Sequence, residues 1–331
     1  MADRVRKIIL DVDTGSDDAV AIMLAALAPE VEVLGVCAVN GNQALEYTLE
    51  NTLRVVELLG AQDRIPVIKG AATPLVRTLN PGRLCQPQTP STQYDENGNE
   101  IAYHPKEIGN GKATIKPLDI NFVTWYIDTI KNSPEKVTLV PVGPLTDIAM
   151  VLRADPSVVD NIEEIVIMGG GKDQTNTTSA AEFNIWLDPE AAQIVLTCGA
   201  KITLVPLDAT HKASTRYSEK ADFLALHNPV GDMIADMIEI RTTAYNKFQP
   251  LHEPDLAPMH DALCVAYLID PNVLKDVRFT RVDVDISGGF ADGQTIIDTR
   301  HFHNQPDNCY VALDADRDLF AKILLDRCKN F

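Results

Sequence analysis

No run of apolar residues approaches the length of a bilayer-spanning helix, so the sequence holds no transmembrane candidate. Cationic residues are scarce, with 29 Lys and Arg against 47 Asp and Glu. The net charge of −18 and the pI near 4.7 argue against a nucleic-acid partner or an anionic membrane surface, and read as a device for solubility. None of the six cysteines (Cys37, Cys85, Cys198, Cys264, Cys309, Cys328) forms a C-x-x-C pair, and four lie in apolar surroundings. The first strand-like run begins within a few residues of Met1, which leaves no room for a targeting segment. Reduced thiols and a cytoplasmic location are the expectation. No Walker or G-x-S-x-G motif occurs, and Gly169-Gly170-Gly171 does not fit G-x-G-x-x-G. His301 and His303 form an H-x-H, but no further ligand at zinc spacing accompanies them. With no internal repeat and no linker, residues 1–331 read as one domain.

What is present is an alternation of strand and helix patterns. Residues 7–12 and 31–39 are apolar runs of strand length, with a helix over 17–28 ending before Pro29. Leu45, Leu49, Leu53, Val56 and Leu59 share one helical face ahead of Gly60, and Pro66-Val67-Ile68 is a short strand. The rhythm breaks over residues 80–118, where Pro81, Gly82, Pro87, Pro90, Pro105 and Pro117 fall among polar residues and Asn97-Gly98 predicts a hairpin turn. A loop of this length is an active-site lid or a surface insertion. Helices follow at 119–131, 145–154, 188–198 and 219–247, with strands at 137–142, 164–168 and 202–206. A helix over 261–269 is expected to be capped by Asp261. Strands at 276–286, 293–299 and 308–313 and a helix at 315–327 end the chain. The fold class is therefore α/β, an open and mainly parallel sheet with helices on both faces. Its core is Rossmann-like and it carries a small β-rich C-terminal excursion.

The chemistry gathers at strand ends. Asp11, Asp13, Asp17 and Asp18 crowd the carboxyl end of the first strand and the start of the next helix. In an open α/β sheet ligands bind at that edge. Two acidic residues at a helix start complement its dipole, but four repel one another, and a bound cation is the simplest compensation. Carboxylates and backbone carbonyls suit a hard cation, calcium or magnesium. The loops holding Asn40-Gly41-Asn42, Val142-Gly143-Pro144, Gly169–Gly171 with Glu182-Phe183-Asn184, and Asp208 all follow strands and are able to converge on the same edge. Trp125 and Trp186 read as packing, His211 and His252 have no assignable role, and His104 points either into a site or into water.

The segment Asp11-Val12-Asp13-Thr14-Gly15-Ser16-Asp17-Asp18-Ala19 resembles the N-terminal signature of the nucleoside hydrolases, D-x-D-x-G-x-D-D-A. Gly41-Asn42, Val142-Gly143-Pro144-Leu145-Thr146, Met168 to Gly171, Ala181 to Ile185, Asp188 to Ala192 and His260-Asp261 recur in the family's order, over roughly residues 6–328. The resemblance is to the inosine–uridine-preferring type. It implies Ca2+-dependent hydrolysis of ribonucleosides to ribose and free base, as in nucleoside salvage, by a homodimer or homotetramer. By similarity, Asp13, Asp18, the carbonyl of Val142 and Asp261 bind the ion, Asp13 is the general base and His260 protonates the leaving base. The nucleoside is gripped by Asp17, Asn42, Met168, Asn176, Glu182, Phe183, Asn184, His260 and Asp261. The chain departs from the family pattern at Ala102 to Gly111, where a His-Ile-His-Gly segment is common, and at the pair of tyrosines that often approaches the base, which is replaced by Ala244 and Phe248 with Tyr245 nearby.

Two other protein classes share parts of this pattern. A magnesium phosphohydrolase of the haloacid-dehalogenase type shares the D-x-D opening, but Gly15 fails its pattern and Asp17-Asp18 has no place in it. A non-catalytic nucleoside-binding protein on the same fold is expected to have lost a metal carboxylate, and all are present.

Overall fold

The computed structural model describes residues 5–83, 92–94, 96, 98, 100–109, 111–302 and 304–331. In chain order the elements are β1 (Arg6–Val12), α1 (Ser16–Leu27), β2 (Val31–Ala38), α2 (Leu45–Leu58), β3 (Val67–Lys69), β4 (Thr92–Tyr94), β5 (Glu100–Ala102), α3 (Phe122–Asn132), β6 (Val137–Pro141), α4 (Thr146–Ala154) and β7 (Ile162–Met168). They continue with α5 (Phe183–Leu187), α6 (Pro189–Leu196), β8 (Ile202–Val205), α7 (Leu207–Thr210), β9 (Thr215–Arg216), α8 (Lys220–Leu224), α9 (Pro229–Phe248) and β10 (Leu256–Ala257). The chain ends with α10 (His260–Ile269), β11 (Leu274–Val284), β12 (Thr295–Asp298), β13 (Cys309–Ala315) and α11 (Arg317–Cys328).

Nine strands form one sheet in the order β12-β11-β13-β8-β7-β6-β1-β2-β3. From β3 to β13 the pairs are parallel, and β11 runs antiparallel to both β13 and β12. The β-rich C-terminal part is thus the far edge of the main sheet. Strand order reverses at β1, whose neighbours are β2 and β6. That reversal opens a crevice at the carboxyl ends of β1 and β6, where ligands bind in open α/β sheets.

β1 alternates, as a strand buried on both faces must. Ile8, Leu10 and Val12 join an apolar cluster with residues of α1, α2, α9, α10 and α11. Ile9 joins the opposite cluster with residues of α3, α4 and α6. Asp11 lies on the Ile9 side, away from the crevice, and accepts a 2.5 Å hydrogen bond from the Tyr126 hydroxyl.

Helix starts are fixed by short polar side chains. Asn228 accepts from the Gly231 amide at 2.7 Å with Pro229 in the first turn, and Asp188 accepts from Ala191 at 3.1 Å with Pro189 likewise placed. The helix expected over 219–247 is divided into α8 and α9, because Asn228-Pro229 caps and restarts it. Asp261 does not cap α10: Met259 stands at the cap without a side-chain bond, and Asp261 lies in the first turn. β4 and β5 pair antiparallel as the hairpin expectation requires, though Asn97 lies outside the described residues. Among the described residues, Cys37, Cys198, Cys264, Cys309 and Cys328 are free thiols. No helix is long and apolar enough to cross a membrane among the described residues.

Candidate active site

The carboxyl ends of β1, β2, β6 and β7 surround a cavity of about 540 Å³. Asp13, Asp17, Asn42, Val142, Met168, Asn176, Glu182, Phe183, Asn184, His260 and Asp261 all line it. Every expected site residue therefore reaches one space except Asp18, which lies just beneath. The Asp13 amide donates to Asp18 Oδ1 at 3.0 Å and the Gly15 amide to Oδ2 at 2.9 Å, which locks the β1–α1 turn. Asp208 does not converge: its carboxylate accepts from the amides of Lys172 and Asp173 at 2.7 and 2.9 Å and fastens the loop behind the cavity.

Asp13 is held from one side only. The Asn42 amide donates to its Oδ2 at 2.6 Å, while Oδ1 is buried with no hydrogen-bond partner among the described residues. Two glycines make the room. A Cβ on Gly41 falls 2.0 Å from Asp13 Oδ2, and one on Gly143 falls 2.8 Å from Oδ1. An orphaned buried carboxylate oxygen is costly unless something electropositive meets it.

Electrostatics give the same result for the whole cluster. Burial raises the pKa of Asp13 far above the carboxylate range, and repulsion from Asp18 and Asp17 adds to it. Asp261 is raised by burial and then by Asp17, Asp18 and Asp13. Asp17 is raised by burial to about 6, opposed chiefly by the Arg241 guanidinium. So many carboxylates in one buried space do not all ionise without a cation. Asp17, Asp18 and His104 also bring ligand atoms within 4.8 Å of one another, and Asp11, Cys37 and Asp147 do so on the other face of β1. The buried acidic cluster at the cavity suits a metal ion. A carbonyl such as that of Val142, with two lone pairs, has capacity beyond the 2.7 Å bond it accepts from Asn184 Nδ2.

Glu182 does a structural task as well. It caps α5, accepting from the amides of Asn184 (2.9 Å), Gly170 (2.8 Å) and Ile185 (3.2 Å), and burial raises its pKa to about 7. Asn176, at an exposed position, accepts from the Phe183 amide at 2.9 Å. Trp125 and Trp186 are packing residues: Trp125 meets Tyr126 edge-on, and Trp186 lies beneath the Arg77 guanidinium.

His104 points into the site. Its ring lies on the cavity wall, accepts from the Ser16 amide at 3.4 Å, and has Nδ1 3.7 Å from Asp17 Oδ1. The described part of the long loop therefore contributes wall residues, Tyr103 with it. His301 lies out at the surface beside Asp307, and His303 is outside the described residues. His211 packs its ring against His260 and Tyr245.

Arg241, Gln249 and Thr210 join the site only in three dimensions, and Ser16, Tyr103, Tyr245 and Phe248 acquire their places in it there. Arg241 is 1% exposed; its Nη1 donates to Asp17 Oδ1 at 2.7 Å and to Ser16 Oγ at 2.9 Å, and its Nε bonds the Pro258 carbonyl. The sequence did hold a signal for it. Ile234, Ile238, Arg241 and Tyr245 follow helical spacing on one buried face of α9, and a charge on such a face needs a buried partner. Tyr245 Oη lies 2.6 Å from His260 Nε2, and His260 Nδ1 lies 2.7 Å from Thr210 Oγ1. Tyr103 packs between Tyr245 and Phe248, with centroids 5.1 and 5.3 Å away, forming an aromatic wall.

Comparison with known proteins agrees with this geometry. The profile of the "Inosine-uridine preferring nucleoside hydrolase" family matches residues 8–322. The pyrimidine-specific ribonucleoside hydrolase RihA of Escherichia coli K12 is 35% identical over 329 residues, covering 98% of each chain. Among solved structures, a purine-preferring ribonucleoside hydrolase from Gardnerella vaginalis superposes with a TM-score of 0.81 at 28% identity, covering 98% of this chain and 99% of its own. The plant nucleoside hydrolase PpNRh1 superposes with a TM-score of 0.83 at 26% identity and the same coverage. The carboxylate cavity at the switch point and these full-length matches together establish that the chain belongs to the inosine–uridine preferring nucleoside hydrolase family and is a ribonucleoside hydrolase, an N-glycosyl hydrolase.

Proposed function

We propose that the protein hydrolyses ribonucleosides in a Ca2+-dependent reaction, releasing ribose and a free purine or pyrimidine base for salvage. The observation that carries this reading is the buried, unpartnered Oδ1 of Asp13 facing a cavity lined by further carboxylates. Asp13, Asp18, the Val142 carbonyl and Asp261 would hold the ion, an all-oxygen set suited to calcium. When bound, a metal ion of this kind supplies a water of lowered pKa. Asp13 takes the proton from the water that attacks the anomeric carbon. The breaking bond leaves positive charge on the sugar, and Asp17 and Asp261 stabilise it. Asp17, Asn42, Asn176, Glu182, Asn184 and Asp261 orient the ribose, with Met168 and Phe183 packing against the nucleoside. His260, across the cavity, serves the leaving base.

The relatives' names span pyrimidine-specific and purine-preferring enzymes, so the test uses both classes. Metal-replete protein is expected to release reducing sugar from at least one of inosine, uridine, cytidine and adenosine, and chelation to stop it. No release from any of them, or release unaffected by chelation, overturns the reading. We further propose a cytoplasmic homodimer or homotetramer with residues 1–331 as one domain. Light scattering that shows only monomer at micromolar protein, or two separate unfolding transitions, removes that part.

A further inference from the structure

Helix α2 buries three polar side chains completely, Thr48, Asn51 and Thr52. Asn is a poor residue for a helix interior, because its side chain competes for backbone groups. In α2 it bonds backbone from two distant segments instead. Asn51 Nδ2 donates to the Thr14 carbonyl at 3.0 Å and to the Lys106 carbonyl at 3.2 Å, and Oδ1 accepts from the Ile108 amide at 3.1 Å. The partners fix these directions, since a backbone carbonyl only accepts and a backbone N–H only donates. One side chain thus joins the β1–α1 turn, with Asp13, Asp17 and Asp18, to the loop that carries Tyr103 and His104 to the cavity wall. Other bonds continue the seam. Ser16 Oγ donates to the Tyr103 carbonyl at 2.8 Å, Gln43 Nε2 to the His104 carbonyl at 3.0 Å and Arg54 Nη1 to the Ile108 carbonyl at 3.1 Å. The Ile108 side chain is buried in the apolar cluster of α1, α2 and α9. Gly15 permits the approach, as a Cβ there falls 2.1 Å from His104 Nδ1. The turn also has locks of its own, in the two amides bonded to Asp18 and in Thr14 Oγ1, which lies 2.6 Å from Thr52 Oγ1.

Given the nucleoside site proposed for this cavity, we infer that Asn51 is a positioning residue that holds residues 103–108 as a standing wall before the nucleoside arrives, in place of a lid that closes over it. Asn51 does not line the cavity. It acts through the backbone of Lys106 and Ile108, and so sets where Tyr103 and His104 stand. The cost of ordering this stretch then falls in folding and not in binding. Without Asn51, each binding event has to order the loop, and the apparent affinity drops by the fraction of molecules whose wall is in place. The β1–α1 turn keeps its own locks in that case, so the groups that act on the anomeric carbon stay where they are. The loss therefore falls on KM and spares kcat, the pattern of removed uniform binding.

The test pairs amide hydrogen exchange with steady-state kinetics on the full chain. Wild type, Asn51→Leu, Gln43→Leu and Thr114→Val are compared, with the exchange measured in the absence of nucleoside. Leu is close to Asn in size and makes none of its bonds. In wild type the Ile108 amide is expected to exchange at least about 10²-fold more slowly than an unstructured amide. In Asn51→Leu, exchange over residues 104–108 is expected to rise at least about tenfold while β6 and β7 keep their wild-type rates. Its KM for the nucleoside turned over fastest is expected to rise about tenfold, with kcat within about threefold of wild type. Gln43→Leu removes only the bond to the His104 carbonyl and leaves α2 intact, so it decides the matter if Asn51→Leu does not fold. It is expected to move exchange and KM in the same direction by about threefold. Thr114→Val deletes a hydroxyl bond to Glu57 outside the 103–108 stretch and is expected to move neither. A wild-type loop that exchanges at the unstructured rate until nucleoside is added is a lid, and overturns the inference. So do unchanged exchange and KM in both Leu variants, a rise in exchange that is equal across the sheet, and a fall in kcat with KM unchanged. All of these leave the hydrolase reading intact. Absence of wild-type turnover on every nucleoside removes that reading, and the positioning role with it.

Discussion

Replacing Arg241 with Met tests how the site keeps a carboxylate charged inside the protein. Met preserves much of the apolar stem and deletes the guanidinium. The change removes the 2.7 Å bond to Asp17, the 2.9 Å bond to Ser16 and the bond to the Pro258 carbonyl. Both members of the ion pair are buried, at 1% and 3% side-chain exposure, so solvent screens little of the loss. Breaking one partner of such a pair costs about 3–5 kcal/mol, because an uncompensated charge stays behind. The sign of the pH dependence follows from Asp17. Its folded pKa of about 6 lies above the ordinary value of 3.8, so its ionisation already lowers stability as pH rises through that window. Without Arg241, its main opposing influence, the pKa rises further and the loss extends to higher pH. Urea unfolding of wild type and Arg241→Met, both stripped of metal, is therefore expected to differ by about 1–2 kcal/mol near pH 5, where Asp17 is protonated and only hydrogen bonds are lost. Near pH 8 the difference is expected to reach about 3–5 kcal/mol. Adding Asp17→Asn is expected to recover at least about 1 kcal/mol at the higher pH, as for groups in direct contact. A pH-independent difference below about 1 kcal/mol, or strict additivity with Asp17→Asn, refutes this electrostatic account.

Three further outcomes follow from the geometry. Gly41→Ala places a Cβ 2.0 Å from Asp13 Oδ2, so turnover is expected to fall at least about 10²-fold, the size of effect that an ångström of misplacement produces; retained turnover in a steady-state assay contradicts the cradle. Tyr126→Phe strips Asp11 of its hydroxyl partner and is expected to cost about 1–3 kcal/mol in denaturant unfolding with kcat nearly unchanged, while a lost kcat brings Asp11 into the site. Chelated protein is expected to lose stability as pH rises through the raised carboxyl range, with Asp17 near 6 and Glu182 near 7, and added Ca2+ to flatten that slope; parallel thermal-unfolding profiles with and without the ion count against a cation at this cluster.

Much of the fold was legible because β1, β2, β6, β7 and β8 are short apolar runs separated by amphipathic or capped helices. The division of α8 from α9 was missed although Asn228-Pro229 is a cap followed by a proline, since the apolar pattern on either side masks the break. The start of α10 was misread because an Asp ahead of an apolar run imitates a cap, while here Asp261 is turned into the cavity. Among the site residues, those following strand ends were readable, since the parallel sheet brings those ends to one edge. Asp208 shows the limit of that rule, being spent on loop amides. The resemblance pointed to the Ala244–Phe248 stretch near the base, but the meeting of Tyr245 and Phe248 with Tyr103 was not readable, because it joins a long loop to the far end of α9, a relation that periodicity does not encode.

The central claim is that Asp13, in a cation-filled carboxylate cluster, activates water against a ribonucleoside. Its most direct measurement is ribose release from inosine and uridine by metal-replete wild type, metal-stripped wild type and metal-replete Asp13→Ala, with Ca2+ binding followed in parallel by calorimetry. The account expects turnover only in the first sample, restored to the second by Ca2+, with a loss of at least about 10³-fold in the third. Turnover by Asp13→Ala within about tenfold of wild type contradicts it.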